Sequence, residues 1–188
     1  MGSVNCKRGG TTIPLSRIEI HPDFVKGKPS YDLGLLRLAK PVEYTDFIRP
    51  IGLTKIRSRV IDANFLTTYW PKLIVNGKLL PATAKERVKS NSMRVSTQKL
   101  IPWDKCSKKM ELTGESLNEN SLCLKPLVTH HSICMPDVGA PVVAEDGLWG
   151  IISGWVTEQC QQSPSPTIFT RISSTVVRSW IDKYRLIP

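Results

Sequence analysis

Short apolar runs rich in Ile, Val and Leu alternate with turn residues along most of the chain. Leu73-Ile74-Val75, then Asn76-Gly77, then Lys78-Leu79-Leu80 reads as a hairpin, because Asn-Gly accepts the positive φ of a tight turn. Pro141-Val142-Val143-Ala144, then Asp146-Gly147, then Leu148 to Ile152 reads as a second hairpin. Both are antiparallel signals, as a closed sheet requires. Near the C-terminus the period changes. Val176, Val177, Trp180, Ile181 and Tyr184 fall on one helical face, with Ser173 or Ser174 placed to cap it. The pattern predicts an all-β protein carrying one amphipathic terminal helix.

A length of 188 residues allows one compact domain or two small lobes. The 14 prolines and 12 glycines are scattered, which suits a loop-rich β protein better than a helical bundle. No run approaches the ~20 apolar residues of a membrane span. No apolar segment follows Met1, so no signal peptide is expected. There are five cysteines, Cys6, Cys106, Cys123, Cys134 and Cys160. Taken alone they fit buried thiols, disulfides or a metal site, although no Cys-x-x-Cys pair favours zinc. No cofactor is expected.

Charge is uneven. The net charge is +10, and residues 55–109 hold thirteen basic residues against three acidic ones. This span includes Lys85, Arg87, Lys89 and Arg94. It reads either as a well-solvated face or as a polyanion-binding, heparin-like patch. Nucleic acid is not the expected partner, because aromatics do not interleave the basic residues in a binding pattern.

The stretch Cys134-Met135-Pro136-Asp137-Val138-Gly139-Ala140-Pro141-Val142-Val143 resembles the nucleophile loop of the chymotrypsin/trypsin-like serine proteases, in which a cysteine precedes Gly-Asp-Ser-Gly-Gly-Pro. Other blocks follow in order. Ile18-Glu19-Ile20-His21-Pro22-Asp23-Phe24 resembles a family strand ending in His-Pro. Tyr31-Asp32-Leu33-Gly34-Leu35-Leu36-Arg37-Leu38 resembles the segment that carries the triad aspartate. Ile48-Arg49-Pro50-Ile51-Gly52-Leu53, Leu66 to Pro71, Trp149 to Trp155 and Pro166 to Ile172 resemble further family segments. The resemblance implies a chymotrypsin-like double β-barrel of Greek-key type, with an incomplete first barrel and a C-terminal helix. Residues 1–60 would be a remnant of the first barrel, 61–172 the second barrel, and 173–188 the helix.

The same resemblance implies that the chemistry is lost. Val138 stands where the family has its serine nucleophile, and Pro136 where a glycine N–H helps hold the oxyanion. A valine cannot attack a carbonyl, and a proline has no N–H. Asp32 matches the triad aspartate, but the segment bearing the catalytic histidine is not present. Without an imidazole, Asp32 is expected to be a strand-end carboxylate accepting backbone hydrogen bonds. His21 belongs to a strand end, and His130-His131 to a loop, so neither is expected to act as base. The substrate-pocket remnant falls on Ser132, Ser153, Trp155 and Thr167, with Trp155 and Thr167 expected to fill the slot. Asp137 matches the carboxylate that receives a new N-terminus on zymogen cleavage. Here it is expected to turn to water or to a nearby donor.

The resemblance pairs Cys106 with Cys123 and Cys134 with Cys160, and leaves Cys6 unassigned. Both partners of a third family bridge are absent together, at Phe65 and Ala144. Disulfides imply an extracellular location, at odds with the lack of a signal peptide. An incomplete chain is the expectation over a decayed, shortened paralogue. The expected function is that of an inactive serine protease homologue that binds a protein partner in an extracellular protease pathway, or a polyanion. The alternatives are an endopeptidase whose chain is incomplete, and a non-functional gene remnant.

Overall fold

The computed structural model describes residues 1–5, 7–59, 61–70, 74–75, 78–79, 92–112, 114–127, 137–155 and 166–185. Within them the order is β1 (Leu15–Ile20), β2 (Gly34–Leu38), β3 (Phe65–Tyr69), β4 (Ile74–Val75), β5 (Lys78–Leu79), β6 (Arg94–Ile101), α1 (Trp103–Glu111), β7 (Ser121–Pro126), β8 (Pro141–Ala144), β9 (Gly147–Trp155), β10 (Thr167–Arg171) and α2 (Thr175–Arg185). Six strands close into a barrel in the order β10-β7-β6-β3-β8-β9, with every neighbouring pair antiparallel.

Both hairpins read from the sequence form. Ile74 faces Leu79 and Val75 faces Lys78, while the Asn76-Gly77 turn lies outside the described residues. In the second hairpin Ala144 faces Gly147, so the loop is Glu145-Asp146 rather than Asp146-Gly147. Gly147 opens β9 at φ +130, and a Cβ there would run into the backbone of Gly52. Glycine is needed for that close approach rather than for the turn itself. The Asp146 carboxylate accepts hydrogen bonds from Thr54 Oγ1 and, at 2.6 Å, from Trp149 Nε1. It thereby pins the segment that leads into the barrel.

Alternation decides what fills the barrel. On β7, Leu122 and Leu124 join Phe65, Val142, Trp149, Ile152 and Phe169 in the central core. Cys123 lies between them on the other face and joins Cys106, Met110 and Ile168 outside the barrel. The ring of Phe65 meets that of Trp149 edge to face at 5.0 Å. The cysteine pairing confirms one expected bridge, Cys106–Cys123, with Cα atoms 6.3 Å apart. It ties α1 to the outer face of β7. Cys134, Cys160 and Cys6 lie outside the described residues.

The helix α1 has no counterpart in the sequence pattern. Only Cys106 and Met110, four residues apart, are buried from it, and apart from Trp103 and Ser107 the other residues are charged. Lys105, Lys108 and Lys109 are exposed on it, whereas Arg94 is exposed at the far end of β6. At about 3.3 Å per residue that strand spans ~23 Å, so these described members of the basic span do not sit side by side. Lys85, Arg87 and Lys89 lie outside the described residues.

Before residue 60 the chain contributes one two-stranded sheet, β1 with β2, and loops. Ile18 faces Leu36 across it, and both are 60% exposed, as is Ile20 at 62%. Leu35, on the opposite face, packs toward α2. Each strand has one unpaired edge among the described residues. The terminal helix follows the expected face with one correction. Val177, Trp180 and Ile181 are buried and Tyr184 is half-buried, but Val176 is 43% exposed. It lies about 100° around the helix from Val177, beyond the stripe that faces the core. Ser174 supplies the cap, its Oγ accepting from the Val177 N–H at 3.3 Å.

The bridge spans 17 residues of sequence. Closing a loop of that size restricts the unfolded chain by about 3 kcal/mol. A Cys106→Ser/Cys123→Ser double variant is therefore expected to lose roughly that stability in urea unfolding under oxidising conditions. An unchanged midpoint and slope would contradict this role.

Candidate functional site

A cleft of about 430 Å³ runs between the N-terminal segment and the barrel. Asp32, Phe24 and Lys28 line one side, and Ser153, Glu115 and Met110 the other. Its geometry starts at Tyr31, a non-glycine residue at φ +55. The Leu33 N–H donates to the Tyr31 carbonyl at 2.8 Å, which closes a three-residue turn with Asp32 at its centre. Leu33 then enters the core, leaving Asp32 at the lip of the cleft.

Among the described residues no backbone N–H donates to the Asp32 side chain, unlike the expected strand-end acceptor. Its carboxylate has no hydrogen bond or ion pair among the described residues, and burial pushes it above the ordinary carboxylate value. The tight turn explains this, since it spends the neighbouring N–H on the Tyr31 carbonyl. The backbone carbonyl of Asp32 accepts instead from Thr170 Oγ1 at 3.4 Å, and that hydroxyl lies 3.0 Å from Ser153 Oγ. Lys28 crosses the cleft to Glu115, Nζ to Oε2 at 2.9 Å. Both are partly exposed, so this pair contributes little to stability.

The loop with Val138 abuts the same region. Ala140 donates to the Asp137 carbonyl at 3.0 Å, with Gly139 at φ +89 in the third position of the turn. No atom lies within 4 Å of a Cβ built on Gly139, so backbone conformation alone requires glycine. The Gly139 N–H donates to the Ile152 carbonyl at 2.8 Å, one residue before Ser153. Val138 projects from the turn and is 56% exposed. The Asp137 carboxylate turns to a nearby donor, accepting the Trp70 N–H at 2.7 Å. Such a bond reduces the cost of keeping a carboxylate half-buried.

Thr167 is buried and lies directly across from Trp155 in the β9–β10 register. The two positions expected to fill the pocket are thus cross-strand neighbours. Ser132 and Pro136 lie outside the described residues. His21 is away from the cleft. Its ring stacks on Tyr31 at 4.8 Å and meets Trp180 at 4.9 Å, and only 2% of it is exposed. Among the described residues no group of three His, Cys, Asp or Glu side chains could hold a metal ion. The cleft therefore offers the Asp32 carboxylate, a Glu115 carboxylate paired with Lys28, and the Ser153 hydroxyl backed by Thr170, with no imidazole among the described residues. Lys28 and Glu115 fall in no motif, and Thr170 is not singled out within its own. Thr170 sits in the Thr-Arg segment, but its partner is 138 positions away.

Burial lowers the pKa of His21, against a smaller opposing effect of the Asp23 carboxylate. The unfolded chain takes up this proton near pH 6.5 and the folded chain only at lower pH. Stability is complete above that range and falls as pH drops through it. The melting temperature is expected to decline below about pH 6.5, and His21→Phe to flatten that decline. An equal slope in both proteins would show that another group carries it.

The family model described as Trypsin matches residues 2–181. The ovochymase of Halocynthia roretzi is 29% identical over 178 residues, covering 91% of this chain and 10% of that protein. The clotting factor G beta subunit of Tachypleus tridentatus is 22% identical, covering 97% of this chain and 59% of its own. The kallikrein 1-related peptidase-like b4 of Mus musculus is 28% identical, covering 81% and 53%. The chain thus spans between a tenth and about three-fifths of these relatives. The solved structure of neuropsin, a serine protease expressed in the limbic system of mouse brain, superposes with a TM-score of 0.70 at 20% identity, over 92% of this chain and 71% of that one. This likeness is one of fold: closed barrel, second sheet and C-terminal helix match a chymotrypsin-like architecture.

Proposed function

Because the chain belongs to the trypsin family, we propose that it is a catalytically inactive member that acts by binding a protein partner in an extracellular protease pathway. The observation that carries this reading is the turn at residues 137–140. It presents a valine side chain at the position the family gives to its nucleophile, beside a cleft whose Asp32 has no imidazole to orient among the described residues. Acyl transfer needs a nucleophile, a base and a polarised carbonyl together. Pro136 removes an N–H from the oxyanion position as well. The residue numbers 1–60, 61–172 and 173–188 are the proposed limits of first-barrel remnant, second barrel and helix. The Cys106–Cys123 bridge supports an oxidising, extracellular location. No described helix is long and apolar enough to cross a membrane.

The relatives' names supply a second reading, an endopeptidase of which this chain is one portion. It keeps the cleft and Asp32, but Val138 would remain without an attacking oxygen in any longer chain.

The protein is expected to hydrolyse neither trypsin-type nor chymotrypsin-type peptide esters, and to take no label from serine-directed phosphonates. Stoichiometric labelling at any serine would sink the inactive reading. Val138→Ser alone is expected to stay below the mock-purified background, because base and oxyanion donor are still missing. Turnover by that variant would locate a base elsewhere in the fold.

We propose in addition that the basic span 55–109 binds heparin-like polyanions. Neutralising Lys85, Arg87 and Lys89 together should bring heparin-column elution to lower salt without altering the melting temperature. Elution no later than that of a charge-matched basic protein, or no shift in the triple variant, would reduce the span to a solvated face.

A further inference from the structure

Arg171 is the last residue of β10 and shares the side of that strand which carries Phe169 into the central core. Only 9% of it is exposed. One Nη donates to the Arg57 carbonyl at 3.4 Å, a long bond, and the buried Nε has no acceptor. Arg57 belongs to the segment leading into β3, whose Ile56 and Ile61 pack on the same core. Two residues on, the Arg59 guanidinium stands over the ring of Trp103, 5.6 Å from its centre. The indole Nε1 of Trp103 is buried and also has no acceptor. Burial lowers the pKa of Arg171, the nearby Arg59 charge lowers it further, and Glu119 opposes them with the smallest effect. Glu119 is exposed and forms no ion pair with Arg171 among the described residues. Asp62, close by in sequence, is taken by Lys99 at 3.1 Å. Arg59 thus links two buried donors that lack acceptors, and neither guanidinium has a carboxylate partner among the described residues.

We infer that Arg171, Arg59 and the Trp103 indole N–H bind a tetrahedral oxyanion, a sulfate or phosphate group. A buried cation without a counter-charge is destabilising, and so is a buried donor without an acceptor. This site has both, and one ligand answers both. A tetrahedral oxyanion directs oxygens outward in several planes, so it can take the Arg171 Nε, the Arg59 fork and the indole N–H together. A carboxylate offers two oxygens in one plane and leaves a donor unmet. The charge matches as well. Two neighbouring guanidiniums repel, and a dianion between them turns that repulsion into two attractions. Arg59 is exposed, so the ion enters from its side and reaches Arg171 at the base. Stacking on Trp103 holds the Arg59 fork in place, which reduces the ordering cost of binding. The site needs none of Lys85, Arg87 and Lys89, so it stands or falls apart from the polyanion reading above.

The test titrates the whole chain with inorganic phosphate and with sulfate, at an ionic strength held constant with chloride. The readouts are the phosphorus NMR linewidth of phosphate and the heat of sulfate binding. Saturable binding is expected, with each ion displacing the other. Arg171→Gln and Arg59→Gln, made separately, should each weaken it by about tenfold or more. Trp103→Phe keeps a ring beneath Arg59 without the N–H and should weaken it by a smaller factor. The Lys85/Arg87/Lys89 triple neutralisation should leave it within about twofold. Melting temperatures in chloride establish that each variant folds, and Arg59→Gln, at an exposed position, reads the site if Arg171→Gln does not fold. Methyl phosphate separates the two sources of the group. Binding as tight as that of free phosphate identifies a phosphate ester as the ligand, and weaker binding identifies the free ion. Acetate held as tightly as phosphate, binding that does not saturate, equal affinity in the folded arginine variants, or loss of binding in the triple variant overturns the inference.

Discussion

Trp180 holds together parts of the chain that the strand ladders do not. It is buried with Leu33, Ile172, Val177 and Ile181, in a cluster that also takes in Tyr31, Leu35, Leu148 and Ile151. Leu33 comes from the N-terminal segment, Ile151 from the barrel and Val177 from α2. Full burial of each large apolar side chain contributes about 1.5–3 kcal/mol, enough together to seat one two-stranded sheet on the barrel. The cleft depends on that seating. Asp32 precedes Leu33, so the depth to which Leu33 enters the cluster fixes where the carboxylate stands. His21 stacks on Tyr31 and Trp180 and steadies the same corner. A histidine recruited for packing in this way cannot serve the cleft.

The barrel makes the complementary half of the site through its own constraints. Ile152 buries into the core while its carbonyl accepts from Gly139, so the 137–140 turn is tied to the strand that carries Ser153. Asp137 answers to the Trp70 N–H beyond β3. The position of Val138 is therefore set by hydrogen bonds that do not involve its side chain. The 137–140 turn keeps its place whatever side chain stands at 138, because the Gly139 N–H and the Asp137 carboxylate do the holding.

Much of the architecture was legible in the sequence, for reasons that differ by element. The hairpin of β8 and β9 announces itself because its apolar residues alternate and its turn is short. The helix α2 does so because Val177, Trp180 and Ile181 repeat at helical spacing. The strand β6 does not, since the residues it turns inward are Ser96 and Gln98, whose side chains bond to each other at 2.6 Å. Polar pairing replaced the hydrophobic signal there. The helix α1 escaped because its burial is concentrated in a disulfide and one methionine. At the site, Asp32 was found from its neighbours in sequence. That its carboxylate has no backbone N–H donor among the described residues follows from the turn at Tyr31, which no side-chain pattern encodes. Lys28 and Glu115 meet only because the fold joins positions 87 residues apart.

The order in which a ribosome delivers these parts adds a consequence of the cluster around Trp180. The strands β1 and β2 leave the ribosome well before the helix that seats their inner face, with the whole barrel made in between. At roughly 5–20 residues per second, the N-terminal sheet waits several seconds with both faces exposed to water and to other nascent chains. The barrel, whose final strand β10 precedes α2 by only a few residues, closes in nearly the same moment. Seating of the sheet and closure of the barrel are thus set up as almost simultaneous events, and the β1–β2 segment is the portion that waits longest and most needs a chaperone's cover.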